Sequence, residues 1–132
     1  MIQTTVTLLG PVPSGIRGMN VEVMPTSQAA VVVPNGDLNA ASGEELKRTL
    51  EDLLAKGNTR LVVDMERVAY VDSLVWGELA TAATRARGAG GELRICGMGG
   101  ELLEILRMIR LSALIAVFPS REFATVFSQP AG

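Results

Sequence analysis

Apolar residues recur along this chain with two different periods, and the alternation between them predicts its elements. Ala29 to Val33 and Leu61-Val62-Val63 are short, continuous apolar runs rich in β-branched residues and bounded by turn residues, so each reads as a buried strand. Asn20 to Met24 predicts a further strand, paired with Ala29 to Val33 as a hairpin across Pro25-Thr26-Ser27-Gln28. Leu46, Leu50, Leu53 and Leu54 fall at helical spacing and form one stripe, with Lys47, Arg48, Glu51 and Asp52 on a solvated face. Ser42-Gly43-Glu44-Glu45 has the form of a capping box at the start of that helix, and Gly57 stops it. A second helix is expected from Ser73 to about Arg87, with Val75, Leu79, Ala82, Ala83 and Ala86 on one face.

Glu92 to Cys96 reads as a strand and Gly97-Met98-Gly99-Gly100 as the connection to a third helix, Glu101 to Ile109. That glycine-rich connection lacks both the Walker lysine and the Rossmann spacing, so it is read as a turn rather than a phosphate loop. Leu114 to Phe118 is expected as an edge strand, and Ser120 as the cap of a last helix running to about Phe127. Strands alternating with helices imply an α/β domain with parallel strands and right-handed crossovers. Before it, Ile2 to Leu9 reads as a strand, after which Pro11, Pro13, Gly15 and Gly18 break the chain. The expected organisation is an N-terminal arm over residues 1–19, one domain over 20–127, and a tail over 128–132 that frays at its end.

Composition narrows the function classes. The 132 residues are 48% hydrophobic and 20% charged, which suits one globular domain with a sizeable core. A net charge of -2 offers no electrostatic case for nucleic acid or an anionic membrane. No long uncharged apolar run suggests membrane insertion, and the N-terminus lacks a signal-peptide layout. The lone Cys96 sits in a strand-like run and reads as a small buried apolar residue, which suits a reducing cytoplasm. With no histidine in the chain, a Ser–His–Asp triad, a histidine metal ligand and a phosphohistidine relay are all excluded. No metal site or cofactor is expected.

One stretch stands out for chemistry. Leu61 to Gly77 begins as a strand, crosses a charged turn at Asp64 to Arg67, becomes apolar again at Val68 to Val71, and presents Asp72-Ser73 at a helix start. Unpaired N–H groups and the helix dipole favour negative charge there. Serine and aspartate are also ordinary helix caps. As a nucleophile Ser73 would lack an activating histidine, and no lysine lies near it in sequence, so an enzyme is not expected. Trp76, one turn on, is open to a core or a surface reading.

Several motifs together resemble the STAS domain, the fold of bacterial anti-sigma factor antagonists. Gly36-Asp37-Leu38-Asn39 is similar to the family's G-x-L-D segment. Leu61 to Gly77 is similar to its strand, turn and D-S-S-G-L-G signature, and Gly90-Gly91-Glu92-Leu93 to its G-G-x-L strand start. Leu111 to Ser120 is similar to its G-L-x-x-L-F/I segment. The departures are Leu74, Val75 and Trp76 within the signature, Asn39 for an acidic residue, and Arg110 where a helix-ending glycine is common. The resemblance implies a single α/β domain with a mixed, mostly parallel sheet of four to six strands and about four helices. It implies a cytoplasmic, non-enzymatic protein that binds an anti-sigma factor/serine kinase and is released when Ser73 is phosphorylated. A serine phosphatase would reset it, and a homodimer is compatible. The implied partner-binding residues are Asp37, Asn39, Asp72, Ser73, Leu74 and Trp76. The alternative within the fold is a constitutive binding subunit, of a lipid-trafficking ABC transporter or a signalling scaffold, without a phosphorylation cycle.

Overall fold

The two continuous apolar runs lie side by side at the centre of a sheet and are buried on both faces. In the computed structural model, which describes residues 21–26 and 28–127, β2 (Ala30–Pro34) pairs in parallel with β3 (Arg60–Asp64), Val32 opposite Val63. β1 (Val21–Pro25) pairs antiparallel with β2, which makes the expected hairpin. β4 (Glu92–Cys96) and β5 (Ala116–Phe118) extend the sheet in parallel, in the order β1-β2-β3-β4-β5. The sheet is therefore mixed and mostly parallel, as the sequence implies. The strand expected at Ile2 to Leu9, the arm over 1–19 and the tail from 128 onward lie outside the described residues.

Three helices cover one face: α1 (Ala40–Ala55), α2 (Ser73–Gly88) and α3 (Gly100–Met108). Val32, Val63 and Ile95 point into that layer, where they meet Leu46, Leu50, Leu79 and Leu106. Ala82, Ala83 and Ala86 are buried on α2, as the alanine face predicts. The alternate positions Val31, Val33 and Val62 belong to a second cluster with Cys96, Ala124 and Phe127. Residues of opposite parity along one strand point to opposite faces, so both faces of β2 and β3 need apolar side chains.

The second face is closed by α4 (Arg121–Ala124), which is shorter than the helix expected to reach Phe127. Arg94 on β4 accounts for the difference. Its guanidinium donates to the carbonyls of Ala124 at 3.2 Å and Val126 at 2.9 Å and stacks on the Phe127 ring at 3.7 Å. Those carbonyls are held by a side chain instead of continuing a helical ladder. Ser120 stands at the cap position but makes no side-chain cap bond.

Asp64 corrects another expectation. It is not part of an exposed charged turn but the buried end of β3, its carboxylate 2.7 Å from Arg121 Nη2 and 2.9 Å from Nε. Its other oxygen accepts the Glu66 N–H at 3.0 Å. A buried carboxylate persists where its lone pairs and charge are matched in this way. Burial, with Asp64 next in effect, pushes the Cys96 thiol up to about 12, so Cys96 behaves as the apolar residue expected.

Candidate functional site

Asp72 ends the loop that follows β3 in an extended conformation, φ −67° and ψ 151°, and its Oδ1 accepts the Leu74 N–H at 2.9 Å. It is the N-cap of α2. Ser73 is therefore the first residue of the helix and not its cap. Its side chain is exposed, and its hydroxyl makes no hydrogen bond among the described residues. Leu74, beside it, is 66% exposed. Val75 then turns inward and lies buried.

Trp76 is 6% exposed and belongs to the core beneath the sheet-facing side of α2. This corrects its expected place on the partner-binding surface. With Val75, Leu79, Ala82, Ala83 and Ala86 it completes a wide apolar stripe, and Ser73 and Leu74 fall outside that stripe.

The segment Asp37 to Asn39 lies against the same loop because backbone bonds stitch the two together. Leu38 N–H donates to the Tyr70 carbonyl at 2.8 Å, and Asp72 N–H donates to the Leu38 carbonyl at 2.8 Å, a parallel bridge between Leu38 and Val71. Asp37 Oδ1 accepts the Ala69 N–H at 3.3 Å. Asn39 then caps α1. Its Oδ1 accepts the Ser42 N–H at 3.0 Å, and Ser42 Oγ accepts the Asn39 N–H at 3.0 Å. The capping box is thus Asn39 with Ser42, one turn earlier than the Ser42 to Glu45 box the sequence suggests. The bridge at Leu38 holds the chain extended up to Asn39, so the helix must begin immediately after it.

Two features of the site went unread in the sequence. The first is Gly43, buried where α1 meets α2. A Cβ there would intrude on Val75 Cγ2, so glycine lets the two helices approach beside the first turn of α2. An isolated glycine inside a helical pattern was the available signal. The second is Glu78, one turn after Leu74. Its Oε1 is buried without a hydrogen-bond partner. Burial raises its pKa above the ordinary value, Lys47 opposes that, and Glu44, Glu51 and Asp72 add to it. Beside Ser73 itself the carboxylate present is that of Asp72.

This arrangement offers a hydroxyl, an exposed leucine and the Asp72 carboxylate at a helix start. No group of side chains suited to hold a metal ion occurs among the described residues, and none of the described helices is long and apolar enough to cross a membrane. A shallow groove of about 230 Å³ lies elsewhere, lined by the β1–β2 turn, Leu53 and Gly57 to Arg60.

Comparison with known proteins bears on the family and the fold. The sequence profile of the STAS domain matches residues 20–124. BtrV of Bordetella bronchiseptica, named as an anti-sigma factor antagonist, is 30% identical over 92 residues, which cover 67% of this chain and 77% of BtrV. A Thermotoga maritima protein titled as an anti-sigma factor antagonist superposes with a TM-score of 0.73 at 16% identity, over 77% of this chain and 88% of that one. The Bacillus cell fate determinant SpoIIAA in its phosphorylated form superposes with a TM-score of 0.64 at 16% identity, over 79% of this chain and 95% of that one. Structures this distant in sequence speak for the fold alone. The profile match spans most of the chain, and the chain belongs to the STAS domain family.

Proposed function

We propose that this protein is an anti-sigma factor antagonist that works in the cytoplasm by partner switching at Ser73. In the unphosphorylated state the surface formed by Asp37, Asp72, Ser73 and Leu74 docks on an anti-sigma factor that is also a serine kinase. Asn39 serves by fixing the Asp37 loop through its cap, and Trp76 serves by anchoring α2 from below. Phosphorylation of Ser73 releases the partner, and a serine phosphatase restores the binding form.

The observation that carries this reading is the division of roles between Asp72 and Ser73. Asp72 does the capping, so the Ser73 hydroxyl is free, exposed and dispensable to the fold. A phosphoryl group there adds about -1.5 to -2 charges. The helix N-terminus stabilises that charge locally. The adjacent Asp72 carboxylate and a desolvated partner face oppose it, so the fold survives while binding weakens. A hundredfold loss of affinity requires only ~2.7 kcal/mol. The resemblance of BtrV, named as an anti-sigma factor antagonist, supports the same class of partner.

The test uses immobilised Ser73→Ala and Ser73→Glu chains as baits, followed by mass spectrometry and calorimetry on the recovered partner. The alanine bait is expected to enrich a serine kinase that the glutamate bait loses. Thermal melts run in parallel separate binding from folding. Asp72→Ala is expected to cost ~1 kcal/mol through the lost cap, and Ser73→Ala less than about half of that. Equal partner affinity for wild type, Ser73→Ala and Ser73→Glu would sink the switch and leave a constitutive binding subunit.

A further inference from the structure

Helix α3 carries an exposed face that the Ser73 site does not use. Met108 is 75% exposed, Ile109 47% and Ile105 39%, while Leu102 and Leu106 face the core. Charge along the helix is bipolar. Glu101 and Glu104 are exposed in its first half, Arg107 is exposed in its last turn, and Arg110 is exposed just beyond it. None of these four side chains makes an ion pair or hydrogen bond among the described residues. Most of the other cations there are engaged: Arg48, Lys56, Arg85, Arg94 and Arg121 pair with carboxylates.

Arg110 adds an independent observation. It follows the helix in the left-handed region, φ 66°, the one non-glycine residue with positive φ among those described. An L side chain there costs on the order of 1 kcal/mol, and glycine is the usual occupant. Its backbone N–H does what a glycine would do, donating to the Arg107 carbonyl at 3.0 Å. Nothing within the described fold uses its guanidinium. The helix dipole accounts for acids early and a base late. It accounts for neither the left-handed arginine nor the exposed Met108 and Ile109.

We infer that α3 is a two-fold dimerisation face, and that its partner is the α3 of a second copy of this chain packed antiparallel to it. With the axis passing midway between residues 105 and 106, Glu104 lies opposite the partner subunit's Arg107, and Glu101 lies toward the partner subunit's Arg110, which follows the end of that helix. Symmetry repeats both pairs. Ile105 lies within about 3 Å of the level of the partner subunit's Met108 along the helices, at 1.5 Å per residue. The pattern is self-complementary only in the antiparallel sense, since a parallel pair would set acid against acid and base against base. The face is a single short helix, which buries less than the ~1,200 Å² of a standard interface, so the dimer is weak and salt-sensitive. It forms at high local concentration.

Sedimentation velocity on the full chain over a concentration series reaching about 1 mM tests this at low and high salt. The wild type is expected to shift from monomer to dimer with concentration, and Met108→Glu to weaken that at least tenfold with an unchanged melt. Two further variants test the pairing. Glu101→Arg with Glu104→Arg makes an all-basic helix, and Arg107→Glu with Arg110→Glu makes an all-acidic one. Each alone is expected to stay monomeric, and an equimolar mixture to form heterodimers. A wild type that is monomeric throughout overturns the inference. So does a dimer that persists unchanged in the charge-reversed variants, because it would use another surface.

Discussion

Replacing Gly43 with alanine tests whether the approach of α1 to α2 is as tight as it looks. In an exposed helix interior the substitution would stabilise by about 1 kcal/mol, because glycine loses more backbone freedom. Here the added methyl would overlap Val75 Cγ2. Relief requires a shift on the order of 1 Å to reach ordinary carbon contact. Val75 is β-branched and stiff at χ1, so the helices must part or Val75 must leave its rotamer. Overpacking of this kind costs about 1–3 kcal/mol. The net expectation is a loss of about 1 kcal/mol, or roughly 3–5 °C in melting temperature for a domain of this size. Val75→Ala alone removes two buried methyl groups and costs about 1.6 kcal/mol in transfer energy before any cavity term. In that background the obstruction is gone, and Gly43→Ala should change sign and stabilise by about 1 kcal/mol. The cycle therefore carries a coupling near 2 kcal/mol, measurable by thermal and urea unfolding of the four chains. An equal effect of Gly43→Ala in both backgrounds, or a stabilisation of the wild type, would refute the packing argument. The same substitution bears on the site, since Val75 lies two residues after Ser73 and a displaced α2 moves the first turn.

Two further outcomes follow from buried charge. Glu78 has a folded-state pKa raised above its ordinary 4.5, chiefly by burial, so the folded chain holds its proton more tightly than the unfolded one. Stability should then fall as pH rises through the folded value, and Glu78→Gln should raise the melting temperature at pH 7 with little effect near pH 4; an equal gain at both pH values would count against the assignment. Arg121→Ala strips the buried Asp64 of its partner and should cost about 3 kcal/mol, while adding Asp64→Asn should recover part of that in urea unfolding, because the orphaned charge is removed as well. A double variant less stable than Arg121→Ala would show that the carboxylate is valued for its bond to Glu66 N–H rather than burdened by its charge.

What could be read from the residues was whatever repeats within one element. The stripe Val75, Leu79, Ala82, Ala83 and Ala86 emerges from a period of 3.6, and the core faces of β2 and β3 emerge as continuous apolar runs. What could not be read depends on residues far apart. Asp64 and Arg121 are 57 positions apart, so nothing near Asp64 announces a partner, and its neighbours Glu66 and Arg67 made the whole stretch look like a turn. The start of α1 was misplaced by one turn because Ser42 and Glu45 satisfy the local pattern as well as Asn39 and Ser42 do. Only the bridge from Leu38 to Val71, made between two segments outside the five strands, selects between them.

The same bridge explains why the Ser73 site could be located but not fully populated from sequence. The order Asp-Ser-Leu-Val-Trp contains two residues able to cap and two large apolar residues able to face either way. Once the bridge fixes Asp72 in an extended conformation, the cap falls to Asp72 and the phase of α2 follows. That phase turns Val75 and Trp76 into the core and leaves Ser73 and Leu74 outside it. A one-residue slip forward would carry Trp76 to the exposed place of Gly77 and expose the indole. The exposure of Ser73 is thus a consequence of where Leu38 pairs, and a substitution such as Leu38→Pro, which removes the N–H donated to Tyr70, should disturb the accessibility of Ser73 without touching the helix that carries it.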